Sequence, residues 1–182
     1  MSQPRHLKSS PEESRRWGAY LARRENAVRR ASVLREGLRL AVLPSFEAQR
    51  CWSLEYRPSR DAPPRAELVV CDIHDDYERF LAAGVDGQTE LLPRLSRATY
   101  EVPLDTLRAI EQLVAGVAVP LVMDTAPSGT DGTRYLLERR AGFNRLSVEW
   151  WRTGPRDWST LTACFQSIWS MLDGIAGRVE TP

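Results

Sequence analysis

Residues 133–151 read TRYLLERRAGFNRLSVEWW, and the placing of one turn decides what this stretch becomes. A tight turn at Gly142-Phe143 makes it an antiparallel hairpin in which Ala141 faces Asn144. In the same register Leu137 faces Val148 and Tyr135 faces Trp150, which collects one apolar face. The other face then carries Arg134, Leu136 and Glu138 opposite Trp151, Glu149 and Ser147, with Trp151 directly across from Arg134. Trp150 has a core role by pattern alone. Trp151 points the other way, where it can stack on Arg134, lie under another helix or anchor a partner protein.

Downstream of this hairpin, Trp158, Leu161, Phe165, Ile168 and Leu172 recur at helical spacing, so a helix over about 156–172 packs on the apolar face and Gly174 marks its stop. Upstream, LRLAVLPSF (38–46) reads as a short strand ended by Pro44. RCWSLEYRP (50–58) alternates, with Trp52, Leu54 and Tyr56 on one side and Cys51, Ser53, Glu55 and Arg57 on the other. A wide loop, SRDAPPRA, leads to a return strand ELVVCDI that is apolar on both faces and therefore central to a sheet. HDDYERFLAAG reads as a short helix ended by Gly84, and ATYEVP as a further short strand. PLDTLRAIEQLVAG gives a helix with Leu107, Ile110, Leu113 and Val114 inward and Gly116 at its end. VPLVMDT (119–125) reads as a strand, and APSGTDGT as a turn-rich connector.

Near the start, SSPEESRRW has the features of a helix N-terminus: Ser10 as cap, Pro11 at the first helical position and Glu13 closing a capping box. Trp17, Leu21, Val28 and Ala31 fall on one side of this helix. Arg16, Arg23 and Arg30 recur every seven residues on another, and with Arg15, Arg24 and Arg29 they make a basic face. The expected organisation is a disordered start over 1–10, an N-terminal amphipathic helix over 11–38, one α+β domain over 39–174 and a tail over 175–182. The sheet of that domain is antiparallel or mixed, with about five to seven strands and helices packed on it.

Residues 1–40 hold ten basic and four acidic side chains, and the remainder fifteen basic and twenty acidic, so a basic head precedes an acidic body. The net charge of +1 argues against a generally basic nucleic-acid binder. Lys8 is the single lysine among 25 basic residues, which reflects a GC-rich genome before any need for bidentate recognition. The first residues have no apolar signal region, and the longest apolar run, 113–123, is broken by Gly and Pro and is too short to cross a membrane. The expectation is a cytoplasmic protein without membrane contact. Cys51, Cys71 and Cys164 include no close pair and read as buried small hydrophobes in a reducing compartment.

The one place where a histidine meets carboxylates is CDIHDD: Asp72, His74 and Asp76 share a side if the strand continues, a weak candidate for a metal or for acid–base chemistry. Asp75 or Asp76 is equally what a helix N-cap needs, so no metal site is expected. SGTDGT lacks the lysine of a phosphate loop and leads into a strand. With no nucleophile elbow, zinc-protease helix or dinucleotide fingerprint in the chain, the expectation is a non-enzymatic protein without cofactor.

LPSF leading into the Trp52 strand, together with DGTRYLLERRAGFNRLSVEWWRTGPRDWSTL, resembles small uncharacterised proteobacterial α+β proteins, some of which look like immunity proteins of interbacterial toxin systems. The resemblance covers about a third of the chain and rests on Asp131, Gly132, Tyr135, Trp150 and Trp158, which are turn and core types. It implies an α+β fold closed by a strand–hairpin–helix unit and carries over no catalytic residue. The function expected is a bacterial protein-binding module, with a toxin as the most concrete partner and steric cover of its active site as the mechanism. Trp151, Arg134, Glu149, Arg16, Arg23 and Arg30 are the expected contact residues. The alternative is nucleic-acid or anionic-surface binding through the basic helix.

Overall fold

The computed structural model describes residues 11–30, 36–45, 47–56, 63–71, 76, 78–79, 82, 92–118 and 132–179. Helix α1 (Pro11–Arg30) precedes strands β1 (Gly37–Pro44), β2 (Gln49–Glu55), β3 (Arg65–Cys71) and β4 (Ser96–Glu101). Helix α2 (Leu104–Ala115) follows, then β5 (Thr133–Ala141), β6 (Asn144–Trp151), a short 3₁₀ turn (Arg156–Trp158) and helix α3 (Ser159–Val179). The strands form one antiparallel sheet in the order β4-β3-β2-β1-β5-β6. The architecture is α+β.

One face of the sheet is mainly apolar and holds the main core. Leu38, Leu40, Trp52, Leu54, Ala66, Leu137, Val148 and Trp150 pack against Leu107 and Ile110 of α2 and against Leu161, Phe165, Ile168 and Leu172 of α3. These are the positions that alternation along the strands and helical spacing select. Aromatic rings close one end: Tyr135 stacks on Trp150 at 5.6 Å, and Phe165 stands edge-on to Trp150 at 5.2 Å. Trp52 donates from Nε1 to Asp173 at 2.9 Å, which satisfies the only polar atom of that buried indole.

The second face is divided. Ala41, Leu43, Cys51, Val69, Cys71 and Leu136 form a small apolar patch, and Val28 of α1 sits on it. Beyond the patch a polar row crosses the sheet in register: Thr99, Glu67, Ser53, Arg39, Glu138 and Ser147. Glu138, 2 % exposed, is held by Arg39 at 3.3 Å, Arg140 at 3.0 Å and Arg145 at 3.1 Å. A carboxylate this buried is tolerable only because three guanidinium groups and their hydrogen bonds replace its water.

Several boundaries differ from the sequence reading. Helix α1 is described over Pro11–Arg30 and Gly37 already belongs to β1, so the helix does not extend to residue 38. Its inward residues are Tyr20, Arg24 and Val28, with Trp17 and Leu21 only half-buried. Helix α3 passes through Gly174 to Val179, in place of a stop at Gly174 and a separate tail from 175. Gly174 is exposed with nothing near a built Cβ, so it costs the helix about 1 kcal/mol of propensity, while Leu172 and Ile175 on either side bury in the core. Ser10, Ala31, Gly84 and the strand expected at 119–125 lie outside the described residues.

Candidate functional site

The β5–β6 ribbon is built from the stretch that decides the fold, and its register is Arg134 to Trp151, Leu137 to Val148 and Ala141 to Asn144, as the turn at Gly142-Phe143 requires. Gly142 has φ +58, which places it at the first central position of a two-residue hairpin turn. Gly37 of β1 pairs with Arg140, so among the described residues no strand lies beside Ala141 to Asn144 on the β1 side. Phe143 is fully exposed there, and Leu146 is 48 % exposed on β6. In the ladder Arg139 faces Leu146, and Arg140 faces Arg145. The tip is thus an apolar and cationic projection on rigid backbone, anchored by the packed rings of Tyr135, Trp150 and Phe165.

The outer edge of β6 is open over a defined length. In a hairpin closed by Ala141 and Asn144, alternate pairs exchange backbone hydrogen bonds, and the remaining residues of β6 turn their N–H and C=O outward. The Arg152 N–H donating to the Thr133 carbonyl at 2.8 Å continues that alternation. The outward residues are Arg145, Ser147, Glu149 and Trp151, and the Trp151 carbonyl accepts from its own turn at Gly154, 3.0 Å away. Among the described residues no strand lies beyond β6, so Arg145, Ser147 and Glu149 form the open edge.

The expected contact residues separate into groups. Trp151 is half-buried with its ring over Gly132, where φ is +148 and an added Cβ would lie 2.9 Å from the indole. Arg134, across from it in the ladder, directs its guanidinium to Glu25 of α1 and, at 3.6 Å, to Glu149. Glu149 also receives a two-pronged contact from Arg29, at 2.7 and 2.9 Å. Arg134 and Glu149 therefore tie α1 to the ribbon. Arg16 and Arg23 are half-buried and Arg30 is exposed, all on α1.

The basic face of α1 is partly an inward face. Arg24 is fully buried and donates to the Glu47 carbonyl, and burial lowers its pKa. Beside it, the Tyr20 hydroxyl donates to Asp76, whose other contacts are Arg79, the Arg94 N–H at 3.3 Å and the Cys71 thiol at 3.7 Å. Burial first, then Asp76, pushes the Tyr20 pKa upward and that of Cys71 up to about 11. With four donors on its oxygens, Asp76 anchors α1. The other two members of the weak metal candidate, Asp72 and His74, lie outside the described residues, and no metal-holding group of three ligands occurs among those described.

On the core face, a cavity of about 610 Å³ opens beside Tyr135, Trp150, Arg152 and Gln166, and a second of about 420 Å³ continues from Thr133 towards Arg50 and Trp169. Aromatic walls with arginines at the rim can hold a side chain of a bound protein, and the described lining includes neither Cys nor His. Phe143 was hidden in the sequence because turn chemistry already accounted for its position. A ring placed at a two-residue turn has no cross-strand partner, and that geometry is the signal of its exposure.

No protein-family model matches the chain, and no curated protein or solved structure matches it.

Proposed function

We propose that this is a non-enzymatic protein-binding module and that the β5–β6 ribbon is its contact surface. The observation that carries the reading is the fully exposed Phe143 with Leu146 beside it, on a backbone fixed by ladder and core and flanked by arginines. Leaving an aromatic ring in water forgoes roughly 1.5–3 kcal/mol of burial, which a protein pocket recovers. Aromatic and arginine side chains on a rigid element are the composition of binding hot spots, because little side-chain entropy is lost on association.

Toxin neutralisation in a bacterial cytoplasm is the most concrete form of the proposal. Steric cover of an active site needs a rigid projecting surface and no catalytic group of its own. Buried thiols at Cys51, Cys71 and Cys164, none in a disulfide, suit a reducing compartment. No described helix is long and apolar enough to cross a membrane. Binding of nucleic acid or an anionic surface through α1 has less support, since Arg24 and Arg29 are taken up within the fold.

The test is capture from a lysate of the native host by wild-type protein beside Phe143→Ala and Trp151→Ala, after circular dichroism shows all three folded. One dominant protein, lost with Phe143→Ala and retained through a high-salt wash, is the expected result. Nucleic acid recovered equally by all three and released by salt overturns the proposal.

A further inference from the structure

We infer that a second copy of this chain docks on the open edge of β6, strand to strand about a two-fold axis through Ser147, so that the two sheets become continuous. The inference rests on the reading of the ribbon as a contact surface and names one occupant for it.

An exposed strand edge is a template for another strand, and proteins that avoid pairing blunt it with proline, a bulge or brevity. The two edges of this sheet differ in that respect. The β4 edge is six residues long and followed by Pro103, while β6 runs for eight residues with neither proline nor bulge. Its open groups belong to Arg145, Ser147 and Glu149, a set symmetrical about Ser147. Antiparallel self-pairing about that residue therefore uses the outward N–H and C=O of all three, with each of the three pairs exchanging two hydrogen bonds.

Side chains select the same register. Pairing about Ser147 sets Arg145 opposite Glu149 of the second copy, and by symmetry the reverse, while Leu146 faces Val148 on the other side. Moving the axis by one residue loses this match: centred on Leu146, Glu149 faces Phe143, and centred on Val148, Arg145 faces Trp151. Arg145 and Glu149 have their side chains 56 % and 36 % exposed, so both retain surface for a further contact while holding Glu138 and Arg29. In the matched register Phe143 comes opposite Trp151 of the second copy. That contact covers the two aromatic groups that the single chain leaves in water or half-covered.

Sedimentation velocity over a concentration series on the full chain, beside Arg145→Glu and Ser147→Pro, tests this. Arg145→Glu sets like charges opposite each other twice, and Ser147→Pro removes only an outward N–H, leaving the β5–β6 ladder intact. The wild type is expected to form a dimer whose dissociation constant rises roughly tenfold or more in either variant; Ser147→Pro, which leaves the Glu138 ion pairs untouched, is the variant expected to keep its circular dichroism unchanged. A wild type that stays monomeric into high micromolar concentration overturns the inference, as does a dimer indifferent to both changes. Because the dimer covers Phe143, capture of a heterologous protein through that ring is read separately at concentrations where the chain is monomeric, so that failure of one reading is distinguishable from failure of the other.

Discussion

The two faces of the sheet are covered by different physics. On the core face, α2 and α3 bury a continuous apolar layer that includes the large rings of Trp52, Trp150 and Phe165. On the other face, α1 covers a small patch through Val28 and is otherwise held by polar ties: Tyr20 to Asp76, Arg24 to the Glu47 carbonyl, Glu25 to Arg134 and Arg29 to Glu149. Apolar area is indifferent to pH near neutrality, whereas buried charges and hydrogen-bonded hydroxyls are not. The core face therefore sets global stability, and the α1 face sets how stability responds to conditions.

The largest effect belongs to the core face: Phe165→Ala is expected to cost about 3–5 kcal/mol in urea unfolding, because the ring is fully buried among Tyr135, Trp150 and Trp169. An effect below 1 kcal/mol would erase the contrast. On the polar half of the second face, Glu138→Ala leaves Arg39 buried without its carboxylate and is expected to cost roughly 3 kcal/mol, measured in the same way.

Alkali should separate the faces next. Burial pushes the Cys51 thiol up to about 11 from its ordinary 9.0, and Cys71 also to about 11. The unfolded chain then releases these protons before the folded one does. Their stabilising contribution is complete below pH 9 and is lost as pH rises towards 11, by roughly 2–3 kcal/mol for the fully enclosed Cys51. Urea midpoints at pH 8 and pH 10.5 should show that fall; a flat profile would place the thiols in contact with water. The smallest change is expected for Glu149→Gln, below about 1 kcal/mol because the pair with Arg29 is partly exposed, with faster amide exchange confined to the last turns of α1.

The same contrast explains what could be read in the sequence. Alternation in β2 and the register of the 133–151 hairpin identified the core face residue by residue, because apolar burial imposes a period that hydropathy reports. The inward side of α1 was not legible in that way. Tyr20 and Arg24 bury their stems and seat polar tips on Asp76 and the Glu47 carbonyl, partners that lie 56 and 23 residues away. An arginine that packs inward looks the same in sequence as one that faces water, so the basic stripe seemed more exposed than it is. Trp151 was placed on the correct face, but its seat over Gly132 depends on a backbone conformation that no pattern encodes. Gly174 read as a helix stop because its propensity was weighed without Ile175, whose burial carries the helix on.

The central claim is that the ribbon, and not the basic helix, meets the partner. Hydrogen exchange measured by mass spectrometry on the captured complex, against the protein alone, compares the two regions in a single experiment. With the free reference kept dilute enough to be monomeric, the expected footprint is slowed exchange over Ala141–Glu149, with Pro11–Arg30 unchanged. Protection confined to Pro11–Arg30, with the hairpin exchanging as in the free protein, would contradict the account.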